Sequence, residues 1–82
     1  MPEREKKRPV KELRIGTIRA AIWRNDGDNG VWHNVTFERG YRDGEEWKSS
    51  ASFGRDDLLV LSKLADQAHT WIIDTEGAER ST

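Results

Sequence analysis

Apolar and polar residues alternate with period two in three stretches of the chain. In 18–23, Ile18, Ala20 and Ile22 alternate with Arg19, Ala21 and Trp23. In 32–37, His33, Val35 and Phe37 alternate with Trp32, Asn34 and Thr36. In 47–53, Trp47, Ala51 and Phe53 alternate with Lys48, Ser50 and Ser52. Strand side chains project to opposite faces in turn, so this pattern predicts a sheet with one buried face. The other face is predicted to carry Arg19, Trp23, Trp32, Asn34, Thr36, Lys48, Ser50 and Ser52. A solvated face does not need two tryptophans.

The punctuation between these stretches gives the order of elements. A short strand at 13–15 is broken by Gly16, where a bulge or sharp bend is expected, and a longer strand follows at 17–24. Residues 25–30 (Asn-Asp-Gly-Asp-Asn-Gly) form a turn cluster, and a strand at 31–41 leads through an Asp43-Gly44 hairpin turn into a strand at 46–53. Gly54-Arg55-Asp56-Asp57 then supplies the cap and first-turn acids of a helix. Leu58, Val60, Leu61, Leu64, Ala65, Ala68, Trp71 and Ile72 fall within an arc of about 160° on that helix, wider than the ~100° stripe one sheet requires. Ala65 and Ala68 are small enough to let the helix approach its neighbour closely. The surplus edge, Val60, Leu64 and Trp71, is expected either to meet a second subunit or to cover the margin of the sheet. The prediction is an α+β domain of ββββα order with antiparallel strands, spanning 13–73. A charged arm at 1–12, expected to be disordered, precedes it, and a polar flexible tail follows at 74–82. The arm is either a solubilising tail or a mobile source of phosphate contacts through Arg4, Lys6, Lys7, Arg8 and Lys11.

Composition narrows the classes available. Eighty-two residues, 34% hydrophobic and 35% charged, allow one small core that a dimer interface would help complete. The absence of cysteine excludes disulfides and thiolate metal sites. No apolar run approaches the ~20 residues of a membrane span and no secretory signal is visible, so a cytoplasmic location is expected. The net charge of −1 argues against a strongly basic nucleic-acid binder, but the charge is unevenly placed. Residues 1–12 carry +2, 13–53 carry 0 and 54–82 carry −3, so acidity resides in the helix and tail.

Catalytic chemistry finds little support. His33 falls in phase with Val35 and Phe37, as a half-buried sheet residue, and His69 lies on the polar helix face. No HExxH, GxSxG or phosphate-binding GxxxxGK[ST] motif occurs, and the Asp26–Asp28 turn lacks the twelfth-position ligand of a calcium loop. Neither an enzymatic activity nor a cofactor, metal or small-molecule substrate is expected. The wet sheet face is the stronger candidate. Single-strand binders combine cations that follow phosphates with aromatics on which bases stack. Trp23 and Trp32 flank the first long turn, and Arg14, Arg19, Arg24, Arg39, Arg42, Lys48 and Arg55 line strands and loops. The alternative is a cross-strand tryptophan pair that closes a hairpin, among ordinary solvated arginines.

Arg14-Ile15-Gly16-Thr17-Ile18-Arg19 resembles the Ile-Gly-Lys-x-Arg opening of the positive-cofactor-four family of single-stranded-DNA-binding transcription coactivators. The element order is similar to that family's from about residue 13 to residue 69. Asp43-Gly44 matches its hairpin, and Tyr41 lies where the family places a DNA-contacting aromatic. Thr17 stands where the family uses a lysine, and the loop at 25–30 is longer. The resemblance implies a curved antiparallel sheet backed by one helix, dimerising through that helix and presenting its strands to DNA. The segment 18–72 also resembles a group of small uncharacterised bacterial proteins through Trp-Lys-Ser and Ser-Phe-Gly-Arg-Asp-Asp-Leu-Leu, which implies a prokaryotic or mobile-element origin. The expected function is non-sequence-specific binding of single-stranded DNA or RNA by a homodimer. Trp23, Trp32 and Tyr41 would stack bases, while Arg14, Arg19, Arg24, Arg39, Arg42 and Lys48 would hold phosphates, with a steep loss of affinity in salt. The competing expectation is a protein-interaction module that uses the tryptophan face or the helix edge.

Overall fold

A computed structural model of the chain describes residues 8–80, including the side chains of all but the last two of these. Four antiparallel strands lie side by side in sequence order: β1 (Lys11–Ile15), β2 (Ile18–Gly27), β3 (Gly30–Asp43) and β4 (Glu46–Ser50). A single 3-10 turn, Arg55–Asp57, leads into the helix α1 (Leu58–Arg80). The fold is therefore the α+β arrangement of ββββα order expected from the sequence.

Tight turns account for the simple topology. Gly16 (φ +62°) and Gly44 (φ +68°) adopt the left-handed backbone that L side chains disfavour, so the chain reverses within two residues at each. Ile15 pairs with Ile18, which makes Gly16-Thr17 a hairpin turn rather than a bulge within one strand. The expected six-residue loop at 25–30 shrinks in the same way. Asn25, Asp26 and Gly27 continue the ladder opposite Trp32, Val31 and Gly30, and only Asp28 and Asn29 remain to turn the chain. The Asn25 side-chain amide donates to Asn34 Oδ1 at 2.7 Å and helps hold this extension in register. Lys11 and Glu12 of the expected arm belong to β1, and Val10 N–H donates to the Ile22 carbonyl at 2.8 Å. Arg4, Lys6 and Lys7 of that arm lie outside the described residues.

One face of the sheet carries the core. Ile18, Ala20 and Leu64 form its centre, with Leu13, Ile15, Val35, Phe37, Phe53, Val60 and Leu61 packed around them. Helix α1 lies over β1, β2 and β3. Ala20 faces the helix and is fully covered, as is Ala68 on the helix, so neither side chain holds the two elements apart. Ala65, by contrast, is exposed. At the helix start the Asp57 carboxylate accepts the Gly54 N–H at 2.9 Å, the reach-back bond of a capping box.

The edge Val60, Leu64 and Trp71 packs on the sheet of its own chain, the second of the two alternatives offered for it. Leu64 is fully buried against the sheet of its own chain, Val60 packs beside the core, and Trp71 is half-buried with its ring edge-on to His33 at 5.8 Å. The large apolar helix residues left exposed are Leu58, Leu59 and Ile73. One expectation about the helix is corrected: it runs on to Arg80 through most of the segment expected as a flexible tail. At ~1.5 Å per residue its 23 residues span roughly 34 Å, enough to bring Glu76 over the far end of the sheet. There the Glu76 carboxylate accepts from His33 Nδ1 at 2.7 Å, on a histidine whose side chain is only 1% exposed.

Leu64→Ala removes the central side chain of the core and is expected to lower the unfolding free energy by about 2–5 kcal/mol. Denaturant titration followed by circular dichroism checks this. A loss below about 1 kcal/mol would mean that the helix does not seat Leu64 on the sheet.

Candidate functional site

Directly paired residues of antiparallel strands share a face, so the ladder assigns every strand side chain. The helix-covered side holds Leu13, Ile15, Ile18, Ala20, Ile22, Val35 and Phe37. The side away from the helix holds Glu12 and Arg14 on β1, Arg19, Ala21, Trp23 and Asn25 on β2, and Trp32, Asn34, Thr36, Glu38, Gly40 and Arg42 on β3. Trp47 and Ser49 of β4 complete it.

This face is open, and it carries three tryptophans. Trp23 pairs with Asn34 and Asn25 with Trp32, so two indoles sit diagonally across a bridged pair of asparagine amides. Trp23 is half-buried, and its Nε1–H donates to Thr36 Oγ1 at 2.9 Å, which fixes the plane of the ring. Trp32 is 55% exposed and forms one wall of an open concavity of about 310 Å³ at the hairpin end, lined otherwise by residues 27–31. Trp47 is the most open of the three at 63% exposure. Its ring lies beside Gly40, where an added Cβ would stand 3.8 Å from the indole, and the Arg42 guanidinium carbon is 5.5 Å from the ring centroid.

Trp47 is the residue that alternation alone misassigned, together with Lys48 and Ser50. β4 ends at Ser50, so the period-two pattern does not extend to Phe53 and cannot place Trp47 in the same phase as that core residue. The hairpin register decides instead. Asp43 pairs with Glu46 and Arg42 with Trp47, which turns Trp47 to the open face and Lys48 to the opposite one beside Tyr41. Ser52 lies beyond the strand. The signal was available, because Gly44 already marked a two-residue turn from which the parity of β4 follows.

The other expected site residues divide between the faces. Arg14, Arg19 and Arg42 share the open face with the tryptophans, whereas Arg24, Arg39, Tyr41 and Lys48 project from the helix side of the sheet. The structure therefore does not bring Tyr41 together with Trp23 and Trp32. Arg39 lies 5.8 Å from the Tyr41 ring, donates to the Ser52 carbonyl at 3.0 Å and stands 3.5 Å from Asp57, tying β3 to the helix start. Lys48 pairs with Asp43 at 3.0 Å and Arg24 with Asp26 at 3.5 Å. On the open face Arg19 pairs with Glu38 at 2.6 Å. Arg14 and Arg42 donate to backbone carbonyls, those of Gly16 and Gly44, Arg42 also lies against the Trp47 ring, and among the described residues neither has a carboxylate partner. Most of the expected phosphate-binding cations are thus already neutralised within the chain. The buried His33 side chain lies on the helix side, so it does not reach the open face.

No protein-family model, curated protein or solved structure matches the chain, so the site rests on its own geometry. Among the described residues, no helix is long and apolar enough to cross a membrane.

Acrylamide quenching of variants that retain one tryptophan each tests this assignment. Trp47 and Trp32 are expected to be quenched with similar efficiency, and Trp71, behind the sheet, clearly less. A shielded Trp47 would contradict the β3–β4 register.

Proposed function

We propose that the open sheet face binds single-stranded nucleic acid without sequence preference, chiefly by base stacking. The observation that carries this reading is the presence of three indole rings, two of them more than half exposed, on one open face of the sheet. Aromatic rings stack on any base, and each stacked base contributes ~1–3 kcal/mol. Trp23, Trp32 and Trp47 serve as platforms. Arg42 and Arg14, which have no carboxylate to release, hold phosphates, and Arg19 joins them when a phosphate displaces Glu38. Arg24, Arg39, Lys48 and Tyr41 have no part in this face.

The charge pattern gives the proposal a quantitative signature. Two or three phosphate contacts correspond to a slope of log affinity against log salt of roughly −1.4 to −2.1, because single strands give about −0.7 per contact. Six contacts would have given about −4. Binding is therefore shallow in salt, and most of its free energy persists when phosphates are screened. Glu38→Gln frees Arg19 and is expected to raise affinity and steepen the slope by about 0.7.

The same pairing of cations with carboxylates favours a second reading, in which the tryptophan face docks a protein, a second copy of the chain included. Tryptophan and arginine are enriched among residues that dominate protein interfaces. Trp32→Ala separates the two readings, since Trp32 is exposed and no core contact depends on it. On the first reading, affinity for a thymidine oligonucleotide, measured by fluorescence anisotropy, drops about 5- to 100-fold while sedimentation is unchanged. Dissociation of a complex or dimer with no change in oligonucleotide binding supports the second.

A further inference from the structure

The tryptophans of the open face are not one cluster. Trp23 stands opposite Asn34 and Trp32 lies two residues nearer the hairpin end, whereas Trp47 stands opposite Arg42 near the other end of β3. Eight to ten residues of extended β3 separate these positions, which at ~3.4 Å per residue is roughly 27–34 Å. The face between them carries no aromatic ring. Ala21, Thr36 and Ser49 are small, Gly40 has no side chain, Arg19 and Glu38 neutralise each other at 2.6 Å, and Glu12 and Arg14 of β1 add one charge of each sign, so the stretch is neutral in sum.

Each end is equipped to hold part of a strand by itself. At the hairpin end two indoles flank the Asn25–Asn34 amide bridge beside the concavity at Trp32. At the far end Trp47 offers an exposed ring, and Arg42 supplies a cation that is not committed to a carboxylate. At the far end a stacking ring and a cation occur together, the hairpin end offers two indoles, and the middle, where Arg14 and Arg19 lie in the row of Glu38, carries no ring.

We infer that the face is a two-station site for an extended single strand, with Trp23 and Trp32 forming one station and Trp47 with Arg42 the other, bridged by a neutral floor. This rests on the nucleic-acid reading above and adds the ligand's length to it. Even at the ~3.4 Å per nucleotide of a fully stacked strand, the most compact spacing, eight to ten nucleotides span both stations, and an extended strand needs fewer. A shorter oligonucleotide occupies one station at a time. A longer one gains the second station at the high effective concentration set by the tether.

Thymidine oligonucleotides of four, eight and twelve nucleotides, titrated at low salt into the full chain and monitored by anisotropy, test the inference. Twelve nucleotides are expected to bind at least about tenfold tighter than four, with most of the gain complete by eight to ten. Trp47→Ala, at an exposed position that spares the core, is expected to reduce the affinity of the twelve-nucleotide strand about tenfold or more. The same variant changes the affinity of the four-nucleotide strand by no more than about twofold, the statistical value of one lost station. Trp47→Phe retains a stacking ring and restores most of the long-strand affinity. If four and twelve nucleotides bind alike, or Trp47→Ala leaves the long strand unaffected, the two-station inference is overturned while single-strand binding stands. If no length binds, both fall.

Discussion

The β2–β3 ladder is the constraint on which the rest of the molecule depends. Its register, Ile18 with Arg39 through Gly27 with Gly30, sets the parity of every side chain in the two long central strands. Odd β3 residues and even β2 residues project to the helix side, and the others face away. A one-residue slip of β3 against β2 would send Val35 and Phe37 into solvent and bring Trp32, Asn34 and Thr36 under the helix. Burial of the apolar set and exposure of the tryptophan set are therefore two results of the same register. The Asn25–Asn34 and Trp23–Thr36 hydrogen bonds reinforce it on the open side, while Leu64 and Ala68 reinforce it on the other.

The helix contributes by covering only part of the sheet. It lies over β1, β2 and β3, with β4 as an edge strand on which Trp47 stands beside Gly40 and Arg42 of β3. Arg39 anchors the chain between β4 and the helix through Ser52 and Asp57, and His33–Glu76 fastens the distal turns. Arg24, Arg39 and Lys48 on the helix side of the sheet are thus each committed to a carboxylate. This division of labour explains how a chain with a net charge of −1 can still present uncommitted arginines beside exposed indoles on its other side.

Much of this was legible in the sequence. Period-two alternation in 18–23 and 32–37 placed the core face, and Gly44 marked a reversal that the backbone requires, whereas Gly16, expected as a bulge or sharp bend, turns the chain into a hairpin. What the sequence reading missed came from treating each strand's alternation separately. Tyr41 and Arg39 continue the phase of Val35 and Phe37, so their place on the helix side followed from β3 itself, although the family resemblance directed Tyr41 toward DNA. Trp47 looked apolar and core-bound until the Gly44 turn coupled its parity to that of β3. Ion pairing was the hidden part. Asp26, Glu38, Asp43 and Asp57 come from β2, β3 and the 3-10 turn before the helix, and only the fold reveals that each pairs with a particular cation. The helix also extended beyond its apolar pattern, because the Glu76 contact to His33 depends on tertiary geometry rather than periodicity.

The central claim is that the open sheet face, and not the helix side, receives the strand. The four indole N–H resonances of the protein report on it directly, because three tryptophans lie on that face and Trp71 lies behind the sheet. In a ¹H–¹⁵N correlation spectrum titrated with a twelve-nucleotide thymidine strand, the Trp32 and Trp47 indole signals are expected to shift together, with Trp23 following and Trp71 unmoved. Shifts confined to Trp71 and the helix amides, or no indole shift at saturating strand, would contradict the account.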